Sequence, residues 1–157
     1  MTAMLKIHLD EGRLAEARTT PSLLITRRVT FAAAHVLRRP EWDADRNEAV
    51  FGPCARDHGH NYVLKVSVSG PVDADTGMVV NLKDLDRAIK ETLVDHVDHR
   101  HLNHDVPFLA GTIPTAENLA LAFWDRLDRG LAEAAPGCRL GRLRLVESEN
   151  NAVEVER

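Results

Sequence analysis

His58-Gly59-His60-Asn61-Tyr62-Val63-Leu64-Lys65-Val66-Ser67-Val68-Ser69 is the stretch that decides how this chain folds. Side chains alternate between the two faces of an extended strand, so His58, His60, Tyr62, Leu64, Val66 and Val68 share one face. An apolar face of that length belongs against a core, and the two histidines stand at its edge, where an ion would be partly shielded from water. Gly70-Pro71 stops the strand, and Asp75-Thr76-Gly77 reads as a turn. Upstream, the run from Leu23 to His35 predicts a half-buried strand with Ile25, Val29, Phe31, Ala33 and His35 on one face. A third imidazole thus ends the neighbouring strand.

Between these strands, a polar, proline-bearing connection is expected from Arg38 to Pro53, anchored by Trp42 and Phe51. Two helices follow. The first runs roughly from Lys83 to Val94, with Leu82, Leu85, Ile89 and Leu93 at near-helical spacing and Asn81 or Asp84 available as a cap. The second begins near Thr115, with Glu117 in its first turn. Its apolar face is Leu119, Ala122, Phe123, Leu127 and Leu131, and it ends at Pro136-Gly137. Two short strands close the chain. In the first, Leu143, Leu145 and Glu147 share a face; the second, from Ala152 to Val155, follows an Asn150-Asn151 turn. The order β-β-α-α-β-β predicts an α+β domain: an antiparallel four-stranded sheet with two helices on one face.

The 157 residues suit one domain over 22–157, preceded by an extension over 1–21 that is partly helical (Leu14, Ala15, Ala17) and lacks the features of a secretory signal. Met4 is an alternative start. A net charge of -4 supports neither nucleic acid nor an anionic membrane surface as partner. No stretch approaches the length of a membrane-spanning helix. Two cysteines, Cys54 and Cys138, make no disulfide scaffold and suit a reducing, cytoplasmic compartment.

The chemistry-bearing residues concentrate around the histidines. His35, His58 and His60 can hold one divalent ion and leave a coordination position open, the arrangement of a catalytic zinc rather than a structural one. The glycine between His58 and His60 lets the backbone approach an ion or substrate closely. Cys54, in the turn after Gly52-Pro53, places a thiol near that ion, as a base or nucleophile with a raised thiolate fraction. Cys138 reads as a small buried hydrophobe. Asp98-His99 sets a carboxylate beside an imidazole, and if Asp98, or an acid from elsewhere, fixes the His99 tautomer, the pair is a proton relay. His96, His101 and His104 read as a charged helix terminus. Glu147, on a core-facing position, needs a partner, and the wall of a site supplies one. Glu117 reads as a helix-start acid that could also face a ligand.

Six segments carry a resemblance over most of the chain, from Arg27 to Val155: FAAAH, FGPCARDHGHNY, GMVVNLKDL, VDHRHLN, PTAEN and VESENN. The chain resembles the 6-pyruvoyl-tetrahydropterin synthases and the related 6-carboxytetrahydropterin synthases of queuosine biosynthesis. The resemblance implies the tunnelling fold, with sheets of several subunits closing a barrel in a hexamer of two stacked trimers and active sites at subunit interfaces. It implies zinc on His35, His58 and His60, Cys54 as the base, and His99 with Asp98 as the acid–base relay. It further implies Glu147 as the acid that anchors the pterin, and Thr115 and Glu117 in the pterin pocket. The implied substrate is 7,8-dihydroneopterin triphosphate. Asn81, Glu117-Asn118 and Ser148 to Asn151 look more like the pyruvoyl branch, whereas the short Cys-x-x-x-His-Gly-His spacing is similar to carboxy-branch members. A relative that makes 6-hydroxymethyl-dihydropterin places a glutamate where this chain has Ala55, Arg56 and Asp57. Two further readings are an inert zinc- or pterin-binding protein on the same fold, and a structural zinc domain using Cys54 as fourth ligand.

Overall fold

The computed structural model describes residues 23–157, so the expectations for residues 1–21 lie outside the described residues. Strand β1 (Ile25–His35) pairs antiparallel with β2 (His58–Ser69) along its whole length, from Ile25 opposite Val68 to His35 opposite His58. That register brings the first and second predicted imidazoles side by side. Strand β4 (Arg139–Ser148) pairs antiparallel with β2 and with β5 (Asn151–Glu156). The four antiparallel strands expected from period-two patterning are present. A fifth, β3 (Arg100–His101), adds two residues parallel to the end of β1, giving the order β3-β1-β2-β4-β5.

One face of this sheet is covered. Phe31, Tyr62, Leu64, Val66, Val68, Leu143 and Leu145 pack in one cluster with Leu85, Ile89, Leu93, Phe123, Leu127 and Leu131 from the helices. Leu64, Val66, Val68, Leu85 and Phe123 have no solvent exposure, and each side chain so removed from water contributes about 1.5–3 kcal/mol. The helices are α2 (Leu82–Ile89), capped by the Asn81 side chain, and α4 (Ala116–Ala134), capped by that of Thr115. Beyond Ile89 the chain loosens into a π turn (Lys90–Val94) and one last turn, α3 (Asp95–Val97). The Thr92 carbonyl accepts a hydrogen bond from Arg126 Nε of α4. Gly130 lets the two helices meet there, because a Cβ on it would lie 2.4 Å from Thr92 Oγ1. The opposite sheet face carries Thr26, Arg28, Thr30, Asn61, Lys65, Arg142 and Arg144, and among the described residues no helix lies on it.

The connection between β1 and β2 is more ordered than expected. It contains helix α1 (Ala44–Phe51), capped by Asp43, and a 3-10 turn (Gly52–Ala55) that carries Cys54. The buried residue of α1 is Asn47, not an apolar one. Its side chain accepts from the Arg39 N–H and donates to the carbonyls of Arg39, Trp42 and Asp43. A helix fastened by an amide leaves no apolar stripe to read. Trp42 and Phe51 do act as anchors, stacked with ring centroids 6.1 Å apart.

Candidate metal centre and its two flanks

His35, His58 and His60 converge at the end of the covered face. Their nearest ligating nitrogens all lie within 4.8 Å of one another, and His35 is buried while the other two are half-buried. Each strand position follows from the pleat: His58 and His60 are two residues apart on β2, and His35 sits opposite His58 on β1. The hydrogen bonds of the outer ring edges set the tautomers. His35 Nδ1 lies 2.9 Å from the Pro114 carbonyl, and His58 Nδ1 lies 2.8 Å from the Arg56 carbonyl. A carbonyl only accepts, so both Nδ1 atoms carry the hydrogen and both neutral rings present a bare Nε2. Those two Nε2 atoms are 3.0 Å apart. Burial disfavours protonation of His35, pulling its pKa below the usual histidine value. Two lone pairs facing each other with no proton between them call for a cation. Three converging imidazoles, two of them oriented by carbonyls, are a donor set that zinc fits. Among the described residues only these three form such a group; the Cys54 thiol is not part of it, which leaves a structural zinc without its fourth protein ligand.

The covered side supplies two more groups. Glu147 shares the covered face with Leu143 and Leu145 and falls where β4 shifts register against β5, between Val146 and Ser148. Its Oε1 is 3.8 Å from His35 Nε2, its Oε2 accepts from Asn151 Nδ2 at 2.6 Å, and only 14% of the side chain is exposed. Beneath it the buried Tyr62 hydroxyl is held firmly protonated by burial, by Glu147 and by the nearby Cys54. Cys54 is half-buried, and its carbonyl is pinned by the Leu37 N–H at 2.8 Å. Cys138 is buried, its thiol against the Val79 carbonyl and its pKa raised by burial.

Asp98 and His99 lie on the other flank. Neighbouring side chains normally diverge, yet Asp98 Oδ1 and His99 Nδ1 are 3.0 Å apart. The cause is backbone: His99 adopts φ 56°, left-handed and rare outside glycine, which folds its ring back toward the preceding carboxylate. The edge of β1 holds that conformation, since the His99 N–H donates to Ala32 O and Asp98 Oδ1 accepts from Ala32 N–H at 2.9 Å. The same Ala32 N–H is the main reason the Asp98 carboxyl titrates below the usual aspartate range. The His99 side chain is 82% exposed. It opens onto a cavity of about 490 Å³ at the sheet edge, lined by Ala32, Ala34, Gly59 and Asn61 of the alternate side-chain set of β1 and β2, by Ala33 and His60 beside them, and by Arg100 and His101 of β3. A single chain therefore sets Cys54, Glu147 and the histidines on the covered side and the Asp98–His99 pair on the bare side. Gly59 belongs to that bare side as well: a Cβ on it would press to 3.0 Å from Ala33 O, so it serves the close pairing of β1 with β2 and not the ion.

Thr115 and Glu117 begin α4. The Thr115 hydroxyl accepts from the Asn118 N–H, and Glu117 is an exposed first-turn acid. Their segment reaches the centre through the backbone, by the Pro114 carbonyl on His35. His101 departs from its reading as part of a charged helix end. It lies on β3, its Nε2 sits 2.9 Å from Asp57 Oδ1, and its ring stacks on His104 with centroids 4.4 Å apart. No local sequence signal could reveal a pair separated by 44 positions.

A family model described as 6-pyruvoyl tetrahydropterin synthase matches residues 24–157. The chain is 38% identical over 132 residues to a 6-pyruvoyl tetrahydrobiopterin synthase of Dictyostelium discoideum, covering 84% of this chain and 94% of that one. A putative 6-carboxy-5,6,7,8-tetrahydropterin synthase of Archaeoglobus fulgidus is 35% identical over 104 residues, 66% of this chain and 79% of its own. The solved 6-pyruvoyl tetrahydropterin synthase of Caenorhabditis elegans superposes with a TM-score of 0.78 at 32% identity, covering 87% of this chain and 96% of that one.

Proposed function

Because the chain belongs to the 6-pyruvoyl tetrahydropterin synthase family, we propose that it is a zinc-dependent lyase that acts on 7,8-dihydroneopterin triphosphate, eliminating triphosphate to give 6-pyruvoyl-tetrahydropterin. The observation that carries the zinc reading is the pair of bare Nε2 atoms of His35 and His58, 3.0 Å apart and each oriented by a carbonyl.

His35, His58 and His60 would hold the ion, and when bound it supplies Lewis acidity to hydroxyls on the substrate side chain. Glu147 accepts N–H groups from the pterin edge and so fixes its orientation, as a paired acceptor does. The contact from exposed Asn151 steadies that carboxylate. Cys54, as thiolate, takes a carbon-bound proton from the side chain of the substrate. His99, with its Nδ1–H held by Asp98, uses Nε2 to carry protons while the side chain tautomerises and triphosphate departs. Thr115 and Glu117 line the pterin pocket from the start of α4.

Since one chain sends His99 to the sheet face away from Cys54, this reading requires His99 of a second copy to complete each site. That fits a hexamer of two stacked trimers with sites between subunits. The likeness to the Archaeoglobus protein supports a second product, 6-carboxy-5,6,7,8-tetrahydropterin. Incubating the purified protein with 7,8-dihydroneopterin triphosphate and weighing the product separates the two, and absence of either product with loaded zinc would leave only an inert zinc- or pterin-binding protein. Cys54→Ala should cut turnover by about 10²–10⁴-fold while zinc content stays the same; unchanged turnover would remove the thiol from the reaction.

A further inference from the structure

The segment from Asp98 to Asn103 is stitched to the end of β1. Beside the Ala32 contacts, Leu102 N–H donates to Ala34 O at 2.8 Å, and the Asn103 amide brackets Val36, accepting from its N–H and donating to its carbonyl, both at 2.9 Å. From this segment the His101 side chain reaches the turn between Cys54 and His58. The Asn103 N–H donates to His101 Nδ1, which leaves the proton of the neutral ring on Nε2, aimed at Asp57 Oδ1 at 2.9 Å. Asp57 stands directly before the ligand His58 and three residues after Cys54. The backbone on either side of it is also tied: Cys54 O accepts from Leu37 N–H, and Arg56 O accepts from the His58 ring.

We infer that Asp57 and His101 are positioning residues: their hydrogen bond fixes where the Cys54 turn lies relative to the metal centre and ties it to the strand that presents Asp98 and His99. The carboxylate is largely exposed, and exposed pairs of this kind contribute little to stability. Its value is directional. A thiol that must meet one carbon-bound proton tolerates little displacement, since a misplacement of about 1 Å can cost on the order of 100-fold in rate. The inference rests on the reading of Cys54 as the base.

Four single variants and one double variant of the zinc-loaded protein test it. His101→Ala and Asp57→Ala should each lower kcat on 7,8-dihydroneopterin triphosphate by about 10–100-fold, with KM within twofold and zinc content unchanged. They should also change the alkylation rate of Cys54 by iodoacetamide, with the buried Cys138 as internal reference. His101→Gln, which keeps an N–H donor, and Asp57→Asn, which keeps an oxygen acceptor, should restore both readouts to within about threefold of the parent. The double alanine variant should be no worse than either single, because both remove one bond. Additive losses, failure of the conservative variants to rescue, zinc loss that accounts for the activity loss, or unaltered kcat and alkylation in the alanine variants would each overturn the inference. If the parent protein does not turn over this substrate, the functional reading fails, while the alkylation series still decides whether the pair positions Cys54.

Discussion

The candidate metal centre and the Asp98–His99 pair are built by opposite means. The three imidazoles sit on long strands in full register, with a buried core behind them and carbonyls fixing the rings of His35 and His58. The Asp98–His99 pair hangs on the sheet edge, held by Ala32 and by a backbone conformation that histidine rarely adopts. Ion coordination needs several atoms placed to fractions of an ångström, which regular pairing provides. The proton carrier proposed for His99 needs access, and 82% of that side chain is exposed. Strain at one exposed residue is the cost of that access.

The largest effect expected comes from the ordered side. His35→Ala removes a buried ligand and its Pro114 contact, so the metal-to-protein ratio should fall to near zero by elemental analysis, and turnover by more than ~100-fold. Full zinc occupancy in that variant would dissolve the contrast between a built centre and an appended relay. Asp98→Asn comes next. The amide oxygen can keep the Ala32 bond, but the charge that steadies a protonated His99 is gone, so kcat should drop about 100-fold with zinc unaffected. Parent-like kcat would show that His99 works without its acid.

Acid titration of the metal-free protein distinguishes the flanks more gently. His35 is held below its ordinary pKa of 6.5 by burial, so the unfolded chain takes up a proton that the native site refuses, and stability falls as pH drops below about 6.5. Asp98 is held below its ordinary 3.8, so its contribution is complete above that value and is lost as pH falls through the lower native one. Replacing His35 by Phe should flatten the first phase in denaturant midpoints measured against pH; an unchanged first phase would assign it to other histidines. The smallest effect is on the strained side. His99→Gly relieves a left-handed residue and should raise stability by up to about 1 kcal/mol while turnover collapses. A lower melting temperature would show that the conformation carries no strain.

Period-two patterning was enough to place His35, His58, His60 and Glu147 on one side of one sheet, and the acid Glu117 in a first turn was enough to place Thr115 at the head of α4. These are consequences of geometry within a strand or a helix turn, where position in the chain dictates direction in space. Helix α1 escaped such a reading because Asn47 fastens it through hydrogen bonds. The sequence groups His101 with His96 and His104 at a helix end, whereas pairing with β1 sets it against Asp57.

From the order of residues alone came the sheet, the two main helices, the convergence of three imidazoles, and the family resemblance with the chemistry it implies. Tertiary structure alone decided that Asp98 touches His99, that Asp57 meets His101, and that Cys54 and His99 of one chain face away from each other. The reason is physical. Alternation along a strand is local, whereas a left-handed residue, a contact across 44 positions and the choice of sheet face at an edge are imposed by chain segments that meet only after folding.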